Sequence, residues 1–203
     1  AIAQECREKS GIGNSGPERI ALLLENLGVR TLFFEGDQGG FDGVSVVQGD
    51  FYLAMFHRRE KAVERVIFTA AHELAHLVLH PEIFTESPDN EAPTGEGRDF
   101  EKEADLFAGH FLVPSDELVE IWFGEHLGRM PLEHALLALK RVYNVSYWCL
   151  YQRLLAEGLT TENRPMLIQR TKRLLGKPTD KSCKMEDLEP EPMDCLLYTS
   201  DAA

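Results

Sequence analysis

No two cysteines in this sequence are spaced to act together. Cys6, Cys149, Cys183 and Cys195 stand singly, without a CxxC pair. That spacing fits reduced thiols in a cytoplasmic protein better than a disulfide framework or a thiolate zinc site. Long apolar runs are missing too. None approaches the ~20 residues that cross a bilayer, so no membrane partner is expected. The opening "AIAQECREKSG" carries early charges and no apolar stretch of the kind a signal peptide needs. It also begins without Met, as expected of a piece of a longer reading frame. Positive charge is scarce: 21 Lys and Arg stand against 34 Asp and Glu, a net charge of −13. Such a chain repels phosphate backbones, which argues against direct contact with nucleic acid. No internal repeat is present. What remains is ordinary for a globular protein, 43% hydrophobic and 27% charged over 203 residues.

The organisation follows from periodicity. In "GPERIALLLENLGV" Ile20, Leu23, Leu24 and Leu27 recur at helical spacing, Pro17 sits near the start, and Gly28 can take the left-handed cap. "VRTLFF" reads as a strand. "GGFDGVSVVQGDFYLAMF" alternates and is rich in β-branched and aromatic residues, so it predicts a two-stranded hairpin with its turn at Gln48–Asp50. From Glu60 to His80 the period becomes helical, and Pro81 stops it. "PEIFTESPDNEAPTGEGR" holds three prolines and two glycines and reads as an exposed loop. "DFEKEADLFAGHFLVP" is a second long helix. "SDELVEIWFG", "PLEHALLALKRVYNV" and "SYWCLYQRLLAEGL" predict three more. A further helix is expected within 158–175. The acidic, Pro-containing stretch 176–194 is expected to lack structure. The last nine residues, "CLLYTSDAA", look like a translated sequencing adapter and are left out of the fold.

Within the first long helix lies "FTAAHELAHLVLH". His72 and His76 are four residues apart, so both imidazoles leave one face of the helix and can hold one ion. Glu73 is turned about 100° from them. There it can take a proton from a water activated by the ion without ligating the ion itself. HExxH arises by chance in on the order of one chain in a hundred of this length, so its context matters. A plain amphipathic helix would account for Phe68, Leu74, Leu77 and Val78 as core residues. It would not account for two histidines and a glutamate at these spacings.

A third ligand is needed. HExxHxxGxxH is excluded, because Leu79 and Glu82 stand where it requires Gly and His. His80 lies another ~6 Å along the axis from His76, too far to share the ion, and reads as a C-terminal cation or an exposed residue. The second long helix offers better candidates. Its apolar stripe of Phe100, Ala104, Phe107, Ala108 and Phe111 must face the HExxH helix. Glu101 lies about 60° from the stripe's centre and Glu103 about 100° away on the other side. Glu101 is the better-placed ligand and Glu103 the alternative. Asp105, one turn on, can brace a ligand histidine.

These stretches together resemble the ImmA/IrrE metallopeptidase domain. "DGVSVVQGDFYLAMF", "ERVIFTAAHELAHLVLH" and "EKEADLFAGHFLVP" match that family's hairpin, HExxH helix and glutamate helix in order. The end, "LKRVYNVSYWCLYQRLLAEGL", is similar to its helical close. The resemblance covers about residues 18–157 and leaves 1–17 as an N-terminal extension. It implies His72, His76 and Glu101 as metal ligands and Glu73 as catalytic base. It also implies cytoplasmic cleavage of a helix-turn-helix repressor in mobile-element or stress-response control. Ala75 replaces the family's frequent Gly, "MFHRRE" stands where members carry an Asn-containing turn, and the N-terminal helix-turn-helix domain of many relatives is not visible.

The expectation is therefore an α+β domain: a small antiparallel sheet packed on a zincin-like HExxH helix, with a helical C-terminal part. Two imidazoles and a carboxylate suit Zn²⁺, and also Mn²⁺ or Fe²⁺. Two rival readings are a metal-bearing module that binds a repressor without cutting it, and a DNA-binding helix pair in "KRVYNVSYWCLYQRLL". The chain's net charge argues against the second.

Overall fold

The computed structural model describes residues 2–11, 20–34, 42–57, 62–81, 99–180 and 184–189. Helices α1 (Ile2–Ser10) and α2 (Ile20–Asn26) come first. Strands β1 (Val29–Phe34), β2 (Gly43–Gln48) and β3 (Phe51–His57) follow. Helices α3 (Val63–Leu79), α4 (Phe100–Leu112), α5 (Ser115–Gly124), α6 (Leu132–Tyr143), α7 (Tyr147–Ala156) and α8 (Arg164–Leu174) complete the α+β fold. The expected loop at 82–98 and the terminal nine residues lie outside the described residues.

Gly28 closes α2 with φ of 85°, as its position after the apolar stripe predicts. The β2–β3 hairpin is antiparallel, pairing Val47 with Tyr52 and Gln48 with Phe51. A two-residue turn at Gly49–Asp50 closes it, and Gly49 has φ of 57°. The sheet as a whole is mixed rather than antiparallel. Its order is β1-β3-β2, and β1 runs parallel to β3. β1 docks on the far side of β3 from β2, so that β1 and β2 are the edge strands of the sheet among the described residues.

α3 packs on this sheet with one side and along α4 with another. Ala70, Ala71 and Ala75 of α3 and Ala104 and Ala108 of α4 are all fully buried, and such small side chains let neighbouring elements approach closely. Phe111, Leu112 and Leu74 fill the space around them, each burial worth ~1.5–3 kcal/mol. Phe68 is partly buried and packs against the core, whereas Val78, also expected in the core, is 38% exposed.

Two further segments add to the packing. The N-terminal extension contributes α1, which packs on α4. Arg7 Nη1 donates to the carbonyl of Phe111 at 2.6 Å, satisfying one of the last-turn acceptors of α4. The acidic tail is partly folded. Met185–Leu188 form a 3₁₀ turn with Met185 and Leu188 buried. Lysines fasten it: Lys140 Nζ meets Glu189 at 2.5 Å, and Lys172 Nζ meets Asp187 at 3.0 Å. Two anchored apolar side chains offset the chain entropy that composition alone suggested would win.

Candidate active site

Helix α3 aims His72, His76 and His80 along one side, towards α4. Asp99 caps α4 by accepting from the Lys102 amide at 3.1 Å, which fixes where its first turn presents Glu101 and Glu103. Glu101 comes to His72 and His76, while Glu103 does not. Nε2 of His72 lies 3.0 Å from Nε2 of His76 and 3.1 Å from a Glu101 oxygen. The other Glu101 oxygen is 3.4 Å from His76 Nε2. These three residues form the one cluster among the described residues able to hold a metal ion.

The spacing can be tested against an ion. Ligands ~2.0–2.1 Å from a tetrahedral centre are about 3.3 Å apart, close to all three separations. The donor chemistry fits as well. Nδ1 of His72 donates to Asp105 Oδ1 at 2.9 Å, which leaves the lone pair of Nε2 pointing to the centre. Two nitrogen lone pairs and a carboxylate converging on one point repel one another unless a cation lies between them. The residues present therefore fit a divalent metal.

Electrostatics separate the two histidines. Burial, with His72 beside it, pushes His76 down to about 4, so its ring is neutral, the form that ligates. Burial also lowers His72, but the hydrogen bond and charge of Asp105, with Glu101 and Glu73, outweigh it and raise the net value. Glu73 points away from this cradle towards the sheet. Ser45 Oγ on β2 donates to Glu73 Oε2 at 2.6 Å, and both side chains are buried. Burial raises the Glu73 carboxyl above its ordinary value, against the pull of the Ser45 bond and His72. A carboxylate moved up towards neutrality is better matched to accepting a proton. The start of β2 is tied to α3 as well, because Arg65 Nε donates to Asp42 at 2.7 Å.

The model of the Peptidase_M78 family, the IrrE N-terminal-like domain, matches residues 24–155. The chain belongs to this family. It carries a metallopeptidase-type domain, and the match takes in the hairpin, α3, α4 and most of α7. No curated protein matches the chain.

In this metallopeptidase domain a cleft of about 1080 Å³ opens beside the cradle. His72, Glu73 and Asp105 line its floor, and Phe68, Leu106 and Trp148 form apolar walls. Glu186 and Glu189 of the folded tail border it on the far side, a wall that sequence reasoning missed. Ser45 was missed too. Its only signal was a polar residue alternating with valines on the inward face of a predicted strand.

His80 is not an exposed residue. It is fully buried, with Nε2 3.0 Å from Glu103. Two of the three basic residues of the supposed DNA-binding pair, Lys140 and Arg153, are also engaged. Lys140 meets Glu64 at 2.7 Å, and Arg153, 4% exposed, donates to the Val113 carbonyl at 3.0 Å. No helix among the described residues is long and apolar enough to cross a membrane.

Proposed function

We propose that this protein is a metal-dependent endopeptidase, using zinc, that cuts a helix-turn-helix repressor in the cytoplasm. The observation that carries the reaction class is the convergence of His72, His76 and Glu101 at 3.0–3.4 Å beside a buried glutamate and an open cleft. The substrate class rests on the ImmA/IrrE resemblance of the sequence. A divalent ion held by those three residues supplies Lewis acidity, polarising the scissile carbonyl and acidifying a water.

The chain's own groups supply the rest. The outer edge of β2, an edge strand among the described residues, binds the substrate backbone in extended form, adding a strand to the sheet. Glu73 takes the proton of the attacking water as the new C–O bond forms. It then hands that proton to the amide nitrogen as the C–N bond breaks. Ser45 keeps the carboxylate in one orientation throughout. Asp105 holds the His72 ring so that Nε2 faces the centre. Phe68, Leu106 and Trp148 shield the bond under attack from bulk water.

The test is Glu73→Gln, assayed for metal content by elemental mass spectrometry and for cleavage of a co-expressed repressor encoded nearby. Near-stoichiometric metal in both proteins is expected, with cleavage lowered about 10²–10⁴-fold in the variant. Repressor inactivated equally by both proteins without a cut would instead establish a binding module. No metal in either protein after zinc reconstitution would overturn the site.

A further inference from the structure

His80 has no place in the reaction above, yet it is fully buried one turn beyond His76. Its Nδ1 lies 3.4 Å from Nδ1 of His76, and its Nε2 lies 3.0 Å from Glu103 Oε2. The rings of His76 and His80 are 5.6 Å apart, and Phe100 packs edge-on against His80 with centroids at 4.9 Å. These atoms cannot share an ion, because Glu103 meets the nitrogen of His80 that faces away from His76. They can form a directed chain.

An ionised carboxylate only accepts hydrogen bonds. In the singly protonated ring Glu103 therefore places the His80 proton on Nε2 and leaves a lone pair on Nδ1. That lone pair accepts from His76, so the His76 proton sits on Nδ1. The consequence is that Nε2 of His76, 3.0 Å from Nε2 of His72, is left bare and aimed at the cradle. Asp105 performs the same service for His72 directly, at 2.9 Å. We propose that His80 and Glu103 are positioning residues, a two-step relay that fixes the tautomer and ring orientation of His76 as a metal ligand. The two acids of α4 that do not enter the cradle thus each brace one histidine that does.

This inference rests on the metal-site reading and is tested by metal affinity, not by turnover. Zinc binding to the full chain is measured by competition with a chromophoric chelator, and urea unfolding of the metal-free protein tracks folding. His80→Phe keeps the ring shape and removes both nitrogens, so zinc affinity should fall ~10–100-fold. His80→Gln can accept from His76 through its oxygen while donating to Glu103, and should stay within about threefold of wild type. Should His80→Phe fail to fold, Glu103→Leu, on a partly exposed side chain, must also weaken zinc binding. Nitrogen-15 spectra of the zinc-loaded protein should show both His76 and His80 singly protonated, His76 on Nδ1 and His80 on Nε2. Wild-type affinity in the folded Phe or Leu variants, or the opposite tautomer of His80, overturns the relay and leaves the metal site standing. Failure of the wild type itself to bind zinc overturns the site, and the relay with it.

Discussion

Gly43, the first residue of β2, sits so close to α3 that its side of the active site can be tested with one methyl group. A Cβ built there lies 2.6 Å from Thr69 Cγ2 and 3.0 Å from both Cγ and Oε1 of Glu73. Carbon atoms pack at about 3.5–4.0 Å, so Gly43→Ala must open the β2–α3 contact by about 1 Å. Overpacking of this kind costs ~1–3 kcal/mol. The backbone of Gly43 is not left-handed, so alanine also returns ~0.4–1 kcal/mol by restricting the unfolded chain. The net loss should be ~0–2.6 kcal/mol, read at an m of ~2.5 kcal/mol/M as a fall of up to about 1 M in the urea midpoint. A displacement near 1 Å at Glu73 should lower kcat for peptide cleavage on the order of 10²-fold. Thr69→Ser removes only the methyl at 2.6 Å and keeps the contacts on Glu73. The double variant, compared with Thr69→Ser alone, should recover most of the stability while cleavage stays impaired. If Gly43→Ala is as stable and as active as wild type, β2 does not press on α3 at Thr69 and Glu73.

Other expectations concern the surroundings of the site. Asp105→Ala removes the acceptor of the 2.9 Å bond from His72 and should weaken zinc binding ~10–100-fold in a chelator competition. For Glu157 burial raises the carboxyl, but hydrogen bonds from Ser115 and Arg153 and the charge of Arg153 outweigh it and lower the folded value. Its contribution is present above the unfolded pKa of ~4.3 and lost as pH falls through the folded value. Glu157→Gln should therefore flatten the acid limb of urea midpoints taken between about pH 6 and pH 3. Burial pushes the Cys149 thiol up to about 12, so iodoacetamide at neutral pH should label it only after unfolding, as seen by peptide mass mapping.

The hairpin, α3, α4 and the later helices were legible because their signals are local. Alternation of valine and serine, stripes spaced by 3.6 residues, Gly28 and Pro81 depend on nothing outside their own segment. The α1 helix was harder to see. Its buried residues Ala3, Cys6, Arg7 and Ser10 have helical spacing but little apolar character, and burial comes from α4. The tail failed as a compositional reading for a similar reason. Met185 and Leu188 are too few to declare a fold, and they count only against a groove built by α7 and α8.

By itself the sequence determined which residues could carry the chemistry. HExxH on a helix puts two imidazoles on one face and a carboxylate off it, because the turn of the helix leaves no other arrangement. Tertiary structure decided what stands opposite. The phase of α4 against α3 brought Glu101, not Glu103, to the two histidines, and sent Glu103 to His80 instead. The edge position of β2 brought Ser45 to Glu73 across 28 residues of sequence. Helical geometry repeats within a few residues and can be read along the chain. The rotation of one helix against another is set by which alanines and phenylalanines interlock, and that exists only once the core is packed.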